Sequence, residues 1–224
     1  MSQAAIARPV VMSAAMAAAT LEGRKSTFRE AVTPQPINAY VRMVSGADLG
    51  EPYLWAPANC HVEYIQQGLP IPLWECPYGV PGDRLYVQEP WNKHGGAVSY
   101  LADGDWIADW LKDSKTPIPA WAVPQWQDAD SMPEEHARLV LEIVSVQAKH
   151  LQEINAEQAK AEGMFFDTRA KKYVITEGDE YKGRGTADAR EAFFMLWESM
   201  RTGYMWVSNP WVWVVEFKVV NHGL

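Results

Sequence analysis

The last long apolar segment constrains most strongly what this chain can fold into. From Trp211 to Val220 it reads Trp-Val-Trp-Val-Val-Glu-Phe-Lys-Val-Val, and its first five residues are all apolar. A strand with this composition is expected to bury both of its faces, which places it in the interior of a sheet. We therefore predict a mainly β domain whose C-terminal strand lies centrally in the sheet.

Further segments carry strand or helix patterns around that strand. In 138–149 the residues alternate clearly, which predicts Leu139, Leu141, Ile143, Ser145 and Gln147 on one face. The predicted strands are 9–12, which we expect to be buried, 37–44, 61–67, 84–89, 97–101 and 138–149. The predicted helices are 14–22 capped by Ser13, a short helix capped by Asn155 and Gln158 that ends at Glu162, and 187–201 opened by Thr186, with Phe193, Leu196, Trp197 and Met200 in the core.

These elements predict an α+β fold, mainly β, in the form of a small closed or nearly closed barrel with about three helices. The chain of 224 residues is long enough to bury a sizeable core, and we treat 1–224 as a single domain. Two segments look like surface insertions. The proline-rich region 105–135 and the charged region 164–185 interrupt the pattern, the latter with a predicted hairpin.

The overall charge limits the kind of partner. A formal net charge of −8 argues against a large footprint on duplex nucleic acid, which requires a basic face. A small basic pocket on an acidic body remains compatible with it. The charge therefore favours a nucleoside, a single flipped base or a short single strand, and the 11 Trp are core or stacking material.

Cysteine usage and hydropathy exclude several other classes. The two cysteines, Cys60 and Cys76, lack disulfide or metal-ligand spacing, so we expect buried free thiols and neither a metal nor a cofactor. No segment approaches the ~18 apolar residues that a membrane-spanning helix needs. The alanine-rich N-terminal run is interpreted as folded structure of a cytoplasmic protein that does not enter a membrane. Oligomeric state is not predicted.

The most chemically suggestive segment follows the first predicted helix. Gly23 is a natural helix stop, and directly after it come three cations, two hydroxyls and an aromatic ring. Such a cluster can hold a phosphate, a base or a carboxylate; the alternative is a solvated basic turn. The residues concerned are Arg24, Lys25, Ser26, Thr27, Phe28 and Arg29.

A second candidate region lies at the end of strand 84–89. The turn Pro81-Gly82-Asp83 fixes where the strand begins, and the strand delivers Glu89 and Trp91 to its far end, on the side of the predicted cleft. Arg29 is expected to pair with a phosphate or with Glu89. Trp91 and Phe28 are candidate stacking platforms, with core packing as the alternative.

Four separated stretches together resemble the ASCH domains of the PUA-like superfamily, especially the longer versions encoded by bacteriophages and prophages. They are Gly23-Arg24-Lys25, the segment 77–89 beginning Pro-Tyr-Gly-Val-Pro-Gly-Asp, the segments 151–154 and 161–163, and 209–217. The resemblance implies a β-barrel of five to six strands, with helices at its openings and a cleft beside the Gly-Arg-Lys turn.

The resemblance also implies a function. Related domains bind RNA or modified bases, and one small bacterial ASCH enzyme is an amidohydrolase of N4-acetylcytidine. Matched by motif, the family's catalytic Lys and Glu fall on Lys25 and Glu162. The family's Thr falls on Phe28, which cannot act as a nucleophile, so its neighbours Thr27 and Ser26 are the remaining candidates.

Three functional hypotheses follow. In the first, the protein binds RNA, single-stranded nucleic acid or a modified nucleoside in a cleft built on Arg24, Lys25, Arg29 and aromatic walls. In the second, it hydrolyses acylated cytidines with Lys25 and Glu162. In the third, it is a non-enzymatic phage–host interaction protein that uses the 164–185 insertion. The phenyl ring of Phe28 at the hydroxyl position favours binding over catalysis.

Overall fold

The computed structural model describes residues 7–36, 41–44, 54–57, 74–94, 97–104, 125–176, 185–200 and 202–222. Within them the fold is α+β and mainly β, as predicted. The predicted strand 61–67, most of the 105–135 insertion and Cys60 lie outside these residues.

The strands are β1 (Ala7–Val11), β2 (Thr27–Ala31), β3 (Val41–Val44), β4 (Leu54–Pro57), β5 (Trp74–Glu75), β6 (Arg84–Gln88), β7 (Trp91–His94), β8 (Ala97–Tyr100), β9 (Leu139–His150), β10 (Phe165–Asp167), β11 (Lys172–Val174) and β12 (Trp211–His222). The helices are α1 (Ala14–Leu21), α2 (Ala156–Ala161) and α3 (Ala189–Ser199).

The principal sheet has five strands in the order β1-β6-β9-β12-β2. Strands β1 and β6 are parallel, and every other neighbouring pair in this sheet is antiparallel. Strand β12 lies between β9 and β2, and its residues 211–215 are all buried, which confirms the position predicted from its composition. The sheet is mixed because it contains one parallel pair. Strands β1 and β2 stand at the two ends of its order, and closure into a barrel remains a prediction.

The position of β1 at an end of the sheet corrects the prediction for residues 9–12. We expected a buried strand, but burial alternates: Val10 and Met12 are buried, whereas Pro9 is exposed and Val11 is 57% exposed. Among the described strands β1 pairs only with β6, and a strand with one neighbour protects less of its surface than one flanked on both sides. An apolar sequence was therefore not sufficient to make this strand central.

Strand β9 is confirmed, but its predicted alternation holds only in its first half. Leu139, Leu141 and Ile143 are buried on one face as expected. Ile143 then pairs with Phe217 and Ser145 with Glu216, which leaves Val144 as an extra residue in a β-bulge. A bulge reverses the faces of all later residues. The buried residue beyond it is accordingly Val146, and Gln147 is exposed.

Helix α1 begins and ends as predicted. The Ser13 side chain accepts a hydrogen bond from the backbone N–H of Met16 and caps the first turn. After Leu21 the chain reaches Gly23, whose φ of +73° is in the left-handed region that favours glycine. Residues 22–26 connect α1 to β2, so Thr27, Phe28 and Arg29 of the predicted basic turn belong to a strand.

The two later helices lie close together in the described structure. Helix α2 has the predicted capping box, in which Asn155 and Gln158 bond to each other's backbone N–H. Helix α3 begins at Ala189 and is capped by Asp188, not opened by Thr186. The side chain of Thr186 bonds Glu191 instead, which removes it from the cap position.

The core prediction for α3 is right for three of four residues. Phe193, Leu196 and Trp197 are buried, whereas Met200 is 43% exposed at the helix end. Between α2 and α3 the predicted hairpin of the 164–185 insertion is present as β10 and β11. No helix among the described residues is long and apolar enough to cross a membrane.

Candidate functional site

Three elements converge on one buried charge cluster. The turn after α1 supplies Lys25, strand β2 supplies Arg29, and the C-terminal end of α2 supplies Glu162. Lys25 and Glu162 also form a backbone bridge. Close approach depends on Gly163, where a Cβ atom would lie 3.0 Å from the Cβ of Ala19 and 3.2 Å from that of Lys25. The glycine that ends α2 therefore lets its last turn pack directly against the turn after α1.

The charge cluster is almost entirely removed from water. Lys25, Arg29 and Glu162 are 5%, 6% and 2% exposed. One carboxylate oxygen of Glu162 lies 3.1 Å from Lys25 Nζ, and the other lies 2.5 Å from Arg29 Nη1. The Arg29 guanidinium also lies over the Phe193 ring, 5.6 Å from its centroid. A single buried carboxylate thus holds two cations.

Three hydrogen bonds hold the Lys25 side chain in place. Its Nζ donates to the carbonyl oxygen of Thr27 at 2.7 Å and to the carbonyl and carboxylate oxygens of Glu162, both at 3.1 Å. An ammonium group has three donors and no acceptor, and all three donors are used here. Lys25 Nζ is therefore fixed in position beside Glu162, and a ligand would have to displace one of these contacts to bond with it directly.

A cavity of about 470 Å³ opens beside this cluster, and we call it the Lys25 cavity. Its volume is within the range of small-molecule sites. Its polar side includes all three members of the charge cluster, and most of the remaining walls are apolar. The lining residues contributed by β1, α1 and the segments near it are Val10, Val11, Met12, Ser13, Met16 and Lys25; the others are Phe28, Arg29, Glu30, Tyr78, Glu162, Ile175, Leu196, Ser199 and Met200.

One wall of the Lys25 cavity combines an aromatic pair with a carboxyl group. The rings of Phe28 and Tyr78 meet edge to face, with centroids 4.8 Å apart and planes at 80°. Beside them Glu30 has a raised pKa because burial disfavours its charged form, an effect that the N–H of Ala31 partly offsets. Burial, and then the nearby Glu30 charge, raise the pKa of Tyr78, so its hydroxyl stays protonated. Among the described residues Glu30 has no ion-pair partner.

The two candidate hydroxyls do not line this cavity. Ser26 is exposed, and its backbone rather than its side chain joins α2 to β12 through bonds to Ala161 and Phe217. Thr27 is buried, and its Oγ1 has no hydrogen-bond partner among the described residues. Arg24 points elsewhere: it pairs with Glu22 at 2.6 Å and donates to the carbonyl oxygen of Gly163 at 2.5 Å.

The predicted association of Glu89 and Trp91 with the Gly-Arg-Lys turn is wrong. Arg29 pairs with Glu162, whereas Glu89 receives two bonds from Arg138, at 2.8 and 3.1 Å. Trp91 is buried and donates its Nε1–H to Ser131 at 3.1 Å. Neither residue lines the Lys25 cavity. Strand β6 does carry Glu89 to its end as predicted, but the arginine that contacts Glu89 there is Arg138.

Sequence reasoning missed Tyr78, Glu30 and the end of α3 as cavity residues. Tyr78 lies in the segment 77–89 and Glu30 directly follows the basic turn, but neither was predicted to line a cleft. Alternation along 27–31 was the available signal, since it places Phe28 and Glu30 on one face of a strand. The contribution of α3 had no signal in the sequence, because its position relative to Lys25 depends on tertiary packing.

Neither a metal centre nor a reactive thiol emerges from the described part of the chain. No group of three or more His, Cys, Asp or Glu side chains there is arranged to hold a metal ion. Cys76 is a buried free thiol as predicted, and burial raises its pKa to about 11. A thiol in that environment remains protonated and is a poor nucleophile.

Comparison of the chain with protein-family models, with curated proteins and with solved structures gave no match. The functional argument therefore rests on the geometry of the Lys25 cavity.

Proposed function

We propose that this protein is an ASCH-like domain that binds a modified nucleoside, or one exposed base of a short single strand, in the Lys25 cavity. The observation that carries the proposal is the wall on which the Phe28–Tyr78 pair stands beside Glu30. An aromatic pair offers a flat base a stacking surface. A carboxyl group without an ion-pair partner offers an acceptor to the amino or ring N–H groups of that base.

The local charge supports a small ligand more than a long nucleic acid. Lys25 and Arg29 contribute two positive charges to the cavity lining, and Glu30 and Glu162 contribute two carboxyl groups. Both cations are already held by Glu162. A site for the phosphates of a long strand needs unpaired cations, which neutralise the phosphates and release the counterions condensed on the nucleic acid. The cavity therefore favours recognition of the base itself.

The direct test is calorimetric titration with a panel of nucleosides, including cytidine, N4-acetylcytidine, adenosine and guanosine. Replacing Phe28 by Leu keeps the volume apolar but removes the stacking face, and we expect a loss of about tenfold or more in affinity. Phe166→Leu is the matched control, since Phe166 is a 38% exposed ring that does not line the cavity. Equal effects of the two substitutions, or no nucleoside binding at millimolar concentration, would contradict the proposal.

A parallel titration with short single-stranded RNA separates the two forms of the ligand. If an exposed base is what the cavity takes, an oligonucleotide binds with an affinity that Phe28→Leu also lowers. Binding that is instead insensitive to Phe28 and falls steeply with salt would place the contact on the phosphates and outside this cavity.

Amide hydrolysis is the second candidate, because Lys25 and Glu162 are in contact at the edge of a cavity. In that reaction water adds to the acyl carbonyl of an N4-acylcytidine, the C–N bond breaks, and the proton passes to N4, giving cytidine and a carboxylate. Lys25 stabilises developing negative charge in this scheme. Release of cytidine from N4-acetylcytidine, abolished by Lys25→Met in a variant shown to be folded, would establish it. The three hydrogen bonds of Lys25 favour binding instead.

A further inference from the structure

The Lys25 cavity has a second, chemically different part. Strand β1, the start of α1 and the end of α3 line it with apolar side chains. Val10 and Met16 are 4% and 6% exposed, and Leu196 is 6% exposed on the facing helix. We call this part the apolar half; its members are Val10, Val11, Met12, Met16, Ile175, Leu196 and Met200. A base stacked on Phe28 beside Glu30 would leave these apolar side chains uncovered, so another part of the ligand could bind there.

Two hydroxyl groups line the cavity next to the apolar half, and each makes a hydrogen bond at the end of its own helix. Ser13 Oγ accepts the capping bond from the Met16 backbone N–H at 3.3 Å. Ser199 Oγ donates to the carbonyl oxygen of Leu196 at 2.6 Å. The seven members of the apolar half itself have no hydroxyl, amide or charged side-chain group.

The mouth of the apolar half is lined by large apolar side chains that water still reaches. Val11 is 57% exposed and Met200 is 43% exposed, although both line the cavity. Isolated exposed apolar residues are ordinary on protein surfaces, but these two also line the cavity that buried apolar side chains line. Methionine adapts its shape readily to a partner. Such a rim suits an apolar chain that passes from the cavity toward solvent.

We propose that the apolar half is a subsite for a flexible alkyl chain carried by the ligand. The inference rests on the proposed function, since it deepens the same site: the base stacks on Phe28 beside Glu30, and its chain lies along Met16, Leu196 and Met200. The ligand class is then a nucleoside whose base bears a substituent of several carbons. Nothing in the arrangement requires that chain to be cleaved.

The test is calorimetric titration with cytidines that carry N4-alkyl chains of one, two, four, six and eight carbons, which no amidohydrolase can cleave. Each methylene buried is expected to raise affinity about fourfold, the equivalent of ~0.8 kcal/mol. The gain should end once the chain passes Val11 and Met200 into solvent. Affinity that stays flat from one carbon to eight, while cytidine itself binds, overturns the subsite and leaves the proposed function standing.

Substitutions at the rim locate the chain. Met200→Ser and Val11→Ser replace exposed residues, so the fold should be retained, and each should reduce the gain in affinity per methylene. Met205→Ser is the control, because Met205 is 63% exposed and does not line the cavity. A gain that survives both rim substitutions, or that falls equally in the control, places the chain elsewhere and overturns the inference.

The alcohols from n-butanol to n-octanol provide an arm that needs no nucleoside. If alcohol binding strengthens with length and Met200→Ser weakens it, the subsite stands even if no nucleoside binds, and the proposed function alone fails. If neither the alcohols nor the alkylcytidines strengthen with length, the apolar half is not a subsite.

Discussion

Two buried glutamates, Glu162 and Glu89, each end an ordered element and each bind an arginine, yet their surroundings differ. Glu162 faces two cations, Lys25 and Arg29, and all three side chains are at most 4% exposed. Glu89 is as deeply buried, but Arg138 is 17% exposed at its side chain and is shared with an exposed acid, Asp103. The first cluster has one carboxylate for two cations, and the second has two carboxylates for one cation.

The difference teaches which charges depend on each other. In the Glu162 cluster all three side chains are almost fully buried, and Glu162 is the carboxylate that pairs with both cations among the described residues. In the Glu89 cluster, Arg138 keeps Asp103 and solvent if Glu89 is lost. The first cluster lines the Lys25 cavity, so stability and the proposed function are coupled there.

The largest effect is expected from Glu162→Gln. This change leaves Lys25 and Arg29 buried together without a counter-charge, and we expect the free energy of unfolding to fall by about 3–5 kcal/mol. Urea denaturation followed by circular dichroism measures it. The triple variant Lys25→Met, Arg29→Met, Glu162→Leu is the control, because removing all three charges should restore most of the loss. A single-substitution effect under 1 kcal/mol would mean that the cluster is hydrated.

A smaller loss is expected from Glu89→Gln. The amide still accepts one hydrogen bond from Arg138, which also keeps Asp103, so the loss should be about 1.5–3 kcal/mol. The same urea experiment compares it directly with Glu162→Gln. If Glu89→Gln reduced the free energy of unfolding more than Glu162→Gln, the number of cations bound by a carboxylate would not determine its contribution to stability.

Glu30 sharpens the comparison, because it is partly buried and has no ion-pair partner among the described residues. Its raised pKa means that the folded protein keeps a proton that the unfolded chain has lost. The free energy of unfolding should therefore decrease as pH rises from about 4.5 through the pKa of the folded state. Glu30→Gln should remove this decline. Unfolding curves between pH 4 and 8 measure it, with the exposed Glu134→Gln as control; an unchanged slope in Glu30→Gln would contradict the assignment.

The smallest effect is expected from Asp103→Asn. The Asp103 side chain is 55% exposed and both of its oxygens accept from the same Arg138 nitrogen, Nη1. This contact competes with water, so the loss should be about 0–1 kcal/mol. Differential scanning calorimetry at low and high salt measures it. A loss comparable with that of Glu89→Gln would show that the two acids act as one unit.

Local patterns predicted much of the fold because their causes are local. Ser13 and Asn155 cap helices through contacts with residues three positions away, and Gly23 ends a helix through its own backbone. The composition of β12 identified a central strand without any knowledge of its neighbours. The bulge at Val144 was not predictable in the same way, since it arises from the pairing of β9 with β12.

Some contacts of the candidate site were also predicted from the sequence, whereas others depend on the tertiary structure. The resemblance to ASCH domains pointed to Lys25 and Glu162, which the structure brings within 3.1 Å of each other. The predicted pairing of Arg29 with Glu89 was wrong, because Arg29 pairs with Glu162 and Glu89 pairs with Arg138. Which carboxylate an arginine meets depends on the path of the chain between them, and no local pattern encodes that path.

The sequence by itself determined where α1 ends and the charged turn begins, which residues cap α1 and α2, and that β12 is central in the sheet. Each of these features depends on neighbouring residues or on composition. Only the tertiary structure decided that Phe28, Tyr78 and Glu30 share a wall with Lys25, and that α3 closes the opposite side. Those contacts join segments up to about 170 residues apart. They exist because burying the apolar surface of several elements at once is what fixes their relative positions.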